Sequence, residues 1–199
     1  MELNFNFNSK IYYQNCGLTS LNLLFRYYKI SGIPKDLIRK NRNNSLWISD
    51  LGIIALKKGF KVNLFTYSQR IFKPEWFDLP KHRILQKLYR KEKNLLINLA
   101  RKSIIEFLKL GGEIKFKILN AKTLKFYIKN KKPLLMTVSS GIIHHRSMPG
   151  GHFVVLIGYD KRNFIILNPG EREVKKEKVD IDLLLYAFYQ WGAWAMTLS

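Results

Sequence analysis

The chain has 199 residues, which suits one folded domain, and it is 47% hydrophobic and 14% aromatic, a composition that excludes a disordered polypeptide. A single cysteine excludes an internal disulfide and a multi-cysteine metal site, and we find neither a signal peptide nor an apolar run long enough to span a membrane, so we expect a cytoplasmic protein. Lysine and arginine number 35 against 14 acidic residues, and the formal net charge of +21 favours an anionic partner, although drift in an AT-rich coding sequence would also enrich lysine.

The first part of the chain is predicted to be mostly helical. Apolar residues recur at helical spacing after Cys16, which places this cysteine at or just before the start of a helix. Pro34 is expected to open a short second helix. A third helix is expected between Ser49 as its N-cap and Gly59 as its stop, followed by a strand over 62–67.

A basic stretch follows at 81–132, which contains 16 lysines and arginines but only three glutamates. Its apolar residues have helical spacing up to the glycine pair at 111–112. This stretch is either a packed helix with a solvated basic face or a docking surface for an acidic partner. We treat residues 1–199 as one domain with a basic helical elaboration at about 68–132.

The last third of the chain is predicted to be a sheet. Short apolar runs predict strands at 134–139, 152–159, 163–167 and 193–198, a hairpin turn at 160–162 and a helix at 180–190. Helices first and an antiparallel sheet afterwards is an α+β arrangement.

Three residues in this pattern suit nucleophilic catalysis. Cys16 is placed where the partial positive charge of a helix N-terminus would favour the thiolate. Among four histidines, His152 stands out because it opens a strand, whereas His144 and His145 fall in a polar loop. The hairpin brings Asn168 beside His152, so that the amide oxygen can accept the hydrogen of one ring nitrogen and fix the orientation of the imidazole.

The order Cys, His, Asn, with His152 about 136 residues after Cys16, is typical of papain-like enzymes. The segment 13–21, Tyr-Gln-Asn-Cys-Gly-Leu-Thr-Ser-Leu, resembles the cysteine motif of the double-glycine (bacteriocin leader) peptidase-like family of the papain-like superfamily. The segments 150–160 and 166–169 resemble the histidine motif and the Asp/Asn-Pro motif of the same family.

The resemblance implies a papain-like α+β fold, with N-terminal helices packed on a C-terminal antiparallel sheet, and cleavage of a peptide or related acyl bond. Asn168 stands where many such peptidases have Asp. The family usually places an oxyanion-binding glutamine six residues before the cysteine, where this chain has Lys10, and the nearest glutamine is Gln14. Either of these side chains would then assist the oxyanion, or the oxyanion site is weak and the chain is a pseudoenzyme.

We therefore predict a cysteine peptidase-like hydrolase with a Cys16 thioester intermediate and without a cofactor or a metal. The expected partner is a peptide or protein substrate, with Gly-Gly or acidic sequence as suggestions, and nucleic acid is less favoured. Two alternatives remain: an acyltransferase or amidase on the same fold, and a non-catalytic basic module that binds RNA or another polyanion.

Overall fold

The structure is a computed structural model that describes residues 1–5, 7, 13, 15–41, 45–145, 147, 150–170 and 172–199. Within these residues the helices are α1 (Cys16–Tyr27), α2 (Lys35–Asn41), α3 (Ile48–Lys57), α4 (Lys81–Leu88), α5 (Leu95–Lys109), α6 (Ala121–Lys129), α7 (Ser140–Ile143) and α8 (Ile181–Gln190). The strands are β1 (Val62–Phe65), β2 (Glu113–Lys115), β3 (Leu134–Ser139), β4 (Gly151–Tyr159), β5 (Asn163–Pro169), β6 (Val174–Asp180) and β7 (Ala195–Leu198). In the described part of the chain, no helix combines the length and the apolar character needed to cross a bilayer.

The strands form one sheet in the order β2-β1-β7-β3-β4-β5-β6. β1 and β2 run parallel, and the other neighbouring strands are antiparallel. β4 lies between β3 and β5: residues 151–156 pair with β3, and the pairing with β5 begins at Val155. This position gives a fixed frame to the residues at the start of β4.

Helices cover both faces of the sheet. One core joins the apolar sides of α1, α3 and α5 to the sheet, and a second core joins α6 and α8 to the opposite face. The predicted α+β class is confirmed, and helices of the N-terminal part pack on a largely antiparallel sheet. The second helical layer is an addition to the predicted arrangement.

The predicted hairpin between β4 and β5 is confirmed. Asp160 Oδ1 accepts hydrogen bonds from the backbone N–H of Arg162 and of Asn163, at 3.0 and 2.8 Å, which closes the turn. From this turn the two strands run back to a common end, so residues near the start of β4 lie beside residues near the end of β5.

The prediction that Ser49 caps the third helix is wrong. The N-cap is Trp47, two residues earlier, and the Asp50 carboxylate accepts the Trp47 N–H at 2.8 Å. Ser49 is buried inside the helix, and its hydroxyl lies 2.6 Å from that of Ser103 on α5. Ser49 therefore joins two helices instead of starting one.

The basic stretch at 81–132 contains α4, α5, β2 and α6. α5 packs on α3, β2 extends the sheet beyond β1, and α6 packs against β4. These elements share the sheet and the cores with the rest of the fold.

Candidate active site

The first turn of α1 places Cys16 against β4. Asn15 is the N-cap, and its Oδ1 accepts the Leu18 N–H at 3.0 Å, so the helix begins at Cys16 as the sequence predicts. A Cβ on Gly17 would lie 3.1 Å from the ring of Phe153, which shows how closely the helix approaches the strand. One turn later, the Ser20 hydroxyl donates to the Phe153 carbonyl at 3.2 Å.

The half-buried Cys16 sulfur receives hydrogen bonds from backbone N–H groups, among them those of Phe153 and Gly17. These donors favour the thiolate, as we expect for a helix N-terminus. Burial opposes them and outweighs them, so the pKa of the Cys16 thiol is raised above its ordinary value. The helix start therefore acts on the thiol pKa in the predicted direction, and burial has the larger effect in the free protein.

His152 and Asn168 are in direct contact. His152 Nε2 lies 2.7 Å from Asn168 Oδ1, and the Asn168 side chain is 2% exposed. An amide oxygen only accepts hydrogen bonds, so Nε2 carries the hydrogen and Nδ1 keeps its lone pair. The hydrogen bond predicted from the hairpin is thus present.

The elements that carry Cys16 and His152 meet, but the thiol and the imidazole are not hydrogen-bonded to each other. The Cys16 sulfur contacts the N–H of Phe153, the residue that follows His152. Cys16 and His152 both belong to the described residues, and no hydrogen bond joins the thiol to the ring. Catalytic hydrogen bonds are often long or poorly aligned in ligand-free enzymes and tighten when the substrate binds.

The predicted oxyanion residues, Lys10 and Gln14, lie outside the described residues. Over the ranges that the structure describes, no three His, Cys, Asp or Glu side chains come together in a group that could hold a metal ion.

Three further side chains, which are not among the predicted site residues, border the site. Glu177 Oε2 accepts a hydrogen bond from Asn168 Nδ2 at 2.9 Å. The His144 ring lies 5.9 Å from the His152 ring between centroids, and it helps burial to lower the pKa of His152. The Trp191 indole packs on Gly151, where a side chain would collide with it. The glycines before His152 were the one available signal, because they indicate a close neighbour at this position.

The fold and this site define an α+β protein that holds a free thiol beside a bonded histidine–asparagine pair. The sequence profile of the guanylylate cyclase family matches residues 8–192, so the chain belongs to that family. A search of curated proteins gives no match.

The solved structures that are similar to the chain include the following two. One is a C39-like peptidase from Bacillus anthracis, with 19% identity and a TM-score of 0.32 over 40% of this chain and 47% of that protein, so the chain spans about half of its length. The other is a double-glycine-motif protease from an AMS/PCAT transporter in complex with a leader peptide, with 14% identity and a TM-score of 0.49 over 99% and 92% of the two chains. At these values neither likeness says what this chain acts on.

Proposed function

We propose that the protein is a cysteine hydrolase of peptide or related acyl bonds, with Cys16 as nucleophile, His152 as base and Asn168 as the residue that orients His152. The observation that carries the proposal is the 2.7 Å contact between His152 Nε2 and Asn168 Oδ1, at the residue before Phe153, whose N–H bonds the Cys16 sulfur. A bonded imidazole next to a free thiol is the arrangement that thiol activation requires.

The chemistry starts from a neutral pair. The His152 Nδ1 lone pair accepts the thiol proton while the sulfur attacks the carbonyl carbon, and the resulting imidazolium is held by the Asn168 oxygen. His152 then gives the proton to the leaving amine, and the C–N bond breaks to leave a thioester on Cys16. Water, deprotonated by the same nitrogen, releases the acid and restores the thiol.

The oxyanion of this reaction needs a donor, and the proposed donors are Lys10 or Gln14 together with the Cys16 backbone N–H. Loss of one oxyanion donor costs about 10²–10³ in rate in a characterised enzyme. A chain in which neither side chain reaches the site would bind substrates without turning them over, which is the pseudoenzyme outcome.

The proposed substrate is a peptide or protein. The resemblance of the cysteine and histidine motifs to double-glycine peptidases supports a peptide substrate and suggests Gly-Gly sequences. The net charge of +21 favours an acidic stretch in the substrate. We place this activity in the cytoplasm and treat residues 1–199 as one domain with a basic elaboration.

An amine could replace water in the last step, which would make the protein an acyltransferase. The thioester would be the same, and competition between water and added amines in product analysis separates the two outcomes.

The family match favours a second candidate, a guanylylate cyclase that acts on a purine nucleoside triphosphate. The strongly positive net charge also suits a polyphosphate ligand. Incubation with GTP and divalent metal, followed by chromatography of the products, tests it. Cyclic nucleotide formation that survives Cys16→Ala would support the cyclase and overturn the hydrolase.

Acylation of Cys16 tests the hydrolase proposal. The chain has one cysteine, so thioester formation with an activated ester, followed by intact mass, reports on Cys16 alone. We expect His152→Ala to slow acylation by about 10²–10⁴-fold, the usual contribution of a general base. His82→Ala, at an exposed histidine of α4, is the matched control and should leave the rate unchanged. Equal rates in all three proteins would overturn the proposal.

A further inference from the structure

The Asn168 side chain is hydrogen-bonded at both ends of its amide. Oδ1 faces His152 Nε2 at 2.7 Å, and Nδ2 donates to Glu177 Oε2 at 2.9 Å. Asn168 is 2% exposed as a residue, so its amide is largely shielded from water. These bonds connect three side chains in the order His152, Asn168, Glu177.

The pairing of β5 with β6 creates this contact. Asn168 lies opposite Lys175, and Glu177 is two residues further along β6, which makes it the diagonal neighbour on the same face of the sheet. The lysines of β6 take other partners: Lys175 pairs with Glu173, Lys176 with Glu2 and Lys178 with Asp160. Glu177 is half-buried, whereas these lysines are exposed. Its carboxylate is thus directed at the amide.

We propose that Glu177 is a positioning residue that fixes the orientation of the Asn168 amide and, through it, the hydrogen of His152. This inference rests on the proposed cysteine hydrolase. An ionised carboxylate only accepts hydrogen bonds, so the NH₂ group of Asn168 must face Glu177 and the amide oxygen must face His152. That oxygen in turn requires a hydrogen on Nε2, which leaves Nδ1 free to accept the thiol proton.

The charge of Glu177 acts in the same direction. His152 becomes an imidazolium during the reaction, and the nearby carboxylate favours this charged form, so Glu177 raises the pKa of His152 against the effect of burial. The chain therefore keeps a carboxylate in the site. An Asp at position 168 would contact the imidazole directly, whereas Glu177 reaches it through the Asn168 amide.

Glu177→Gln tests the proposal, because glutamine keeps the size of the side chain, removes its charge and allows the amide to turn over. We expect acylation of Cys16 to slow by at least about tenfold, and the ring titration of His152, followed by NMR, to shift to lower pH. Glu173→Gln removes the same charge from an exposed residue of the same segment and should change neither measurement.

A charge exchange makes the test specific. Asn168→Asp would place two carboxylates against each other and should slow acylation, whereas the double variant Asn168→Asp, Glu177→Gln leaves one carboxylate and should recover at least part of the rate. Additive losses in the double variant would contradict the proposed positioning role.

The two proposals can fail separately. If Glu177→Gln shifts the His152 titration but His152→Ala leaves acylation unchanged, Glu177 is coupled to His152 and the hydrolase proposal is overturned. If His152→Ala abolishes acylation and Glu177→Gln changes neither the rate nor the titration, the hydrolase stands and the role of Glu177 is overturned.

A different surface carries a second inference. Leu95, Leu96 and Leu99, which we call the leucine tip, are 71%, 63% and 49% exposed at the start of α5. Large apolar side chains rarely cluster on a free surface, and such clusters mark interaction sites.

The leucine tip is held by an ordered turn. Asn94 Oδ1 accepts the N–H groups of Leu96 and Ile97, at 2.9 and 3.2 Å, and Asn98 Nδ2 donates to the Glu92 carbonyl at 2.6 Å. The Arg101 guanidinium, whose side chain is 5% exposed, bonds the Arg90 carbonyl at 2.8 Å and the Glu92 carboxylate at 2.9 Å. The turn therefore presents the leucines in a fixed arrangement.

The charges around the leucine tip are positive. Arg90, Lys91, Lys93 and Lys102 are exposed there, and the nearby Glu92 is paired with Arg101. Exposed leucines within a ring of basic side chains combine the two attractions that hold a protein at the surface of an anionic bilayer. We infer that the leucine tip docks on an anionic membrane surface, with the leucines among the lipid headgroups.

Vesicle co-sedimentation tests this inference, with phosphatidylcholine alone and with added phosphatidylserine. We expect the protein to bind the anionic vesicles only. The affinity should fall by at least about tenfold in each of two double variants, one with Leu95→Ser and Leu99→Ser and the other with Lys91→Glu and Lys93→Glu. Two double variants on the same basic stretch are the matched controls: one combines Ile118→Ser with Phe126→Ser, and the other combines Lys122→Glu with Lys129→Glu. They alter residues of similar exposure and should bind more tightly than the tip variants. Equal losses in tip and control variants, binding to RNA but not to vesicles, or a leucine variant that changes only the oligomeric state would overturn the inference.

Discussion

At the scale of single residues, burial shifts the pKa values of Cys16 and His152 in opposite directions. Both shifts favour the neutral form of the side chain. It raises the pKa of the thiol and lowers the pKa of the imidazole, because both charged forms lose water. The resting pair is therefore neutral at pH 7. A neutral pair holds no thiolate and imidazolium before the substrate binds. The proton moves from the thiol to His152 only when the sulfur attacks the substrate.

This electrostatic state predicts the pH dependence of acylation. The unprotonated imidazole is the active base, and its fraction rises as pH increases through the pKa of His152. Since that pKa is lowered from 6.5, the acidic limb should lie below pH 6.5. In His152→Ala this limb should disappear, and the rate should rise only as the thiolate forms, above the ordinary thiol value of 9.0. Initial rates of Cys16 acylation across the pH range check this.

A limb above pH 6.5 in the unmodified protein would contradict the neutral pair and would indicate that His152 is held as imidazolium. Persistence of the limb in His152→Ala would assign it to another group, such as His144. The exposed His82→Ala variant is the control for the general effect of removing an imidazole.

The candidate site could be predicted in its main residues because each has a strong local signal. Cys16 precedes an apolar helical stripe, His152 opens an apolar strand after two glycines, and Asn168 ends the next strand before a proline. Glu177 has no such signal, since it lies between lysines. Its role depends on strand register, which becomes visible only when β6 is paired with β5.

At the scale of elements, the start of α1 determines where the thiol stands relative to β4. The Asn15 cap fixes the first turn, and the Cys16 sulfur and the Ser20 hydroxyl contact the N–H and the carbonyl of Phe153. Residues four apart on a helix lie on one face, so both contacts hold the same residue of the strand through its two flanking peptide groups. The helix start and the strand start therefore form one rigid junction.

The junction predicts a difference between two helix caps. Asn15→Ala and Asn120→Ala each remove a capping oxygen, and each should lower the free energy of unfolding by about 1 kcal/mol, as N-cap substitutions commonly do. Only Asn15→Ala should also slow acylation of Cys16, because α6 lies apart from the thiol. Urea unfolding and acylation rates measure the two effects.

Equal acylation rates in the two cap variants would show that the first turn of α1 keeps its position without the Asn15 side chain. A slow Asn120→Ala variant would instead indicate that acylation follows overall stability.

The elements that the sequence did not reveal share a physical feature. β6 is an edge strand with lysines on both faces, so it lacks the alternation that marks a half-buried strand. In α6 two residues, Leu124 and Ile128, are fully buried, and the lysines around them hide the helical stripe. β2 has three residues, and its pairing with β1 spans a long separation in sequence. Strong periodicity was visible in α1 and α8, where larger apolar faces are buried. It was visible in α5 as well, although Leu95 and Leu99 at the start of that helix are exposed.

At the scale of the whole molecule, the positive charge is largely uncompensated. The described residues form six ion pairs, and in five of them both side chains are at least 35% exposed. Exposed pairs contribute little to stability, with a median of about 0–1 kcal/mol. The net charge of +21 therefore acts mainly as self-repulsion in the compact state, and its sign indicates which partners approach the protein rather than how the chain folds.

Self-repulsion predicts that added salt stabilises the protein. At an ionic strength of about 0.15 M the Debye length is about 8 Å, so most repulsion between separated lysines is screened while buried contacts are unaffected. Relief of about 1 kcal/mol would raise the melting temperature by about 2–4 °C in a chain of this length. Thermal unfolding at low and at physiological NaCl measures the shift, and Lys122→Glu, Lys129→Glu should reduce it, because this variant lowers the net charge by four units on an exposed helix. A melting temperature that falls with salt would mean that attraction within the exposed ion pairs outweighs the repulsion between like charges. Screening would then weaken the attraction more than it weakens the repulsion.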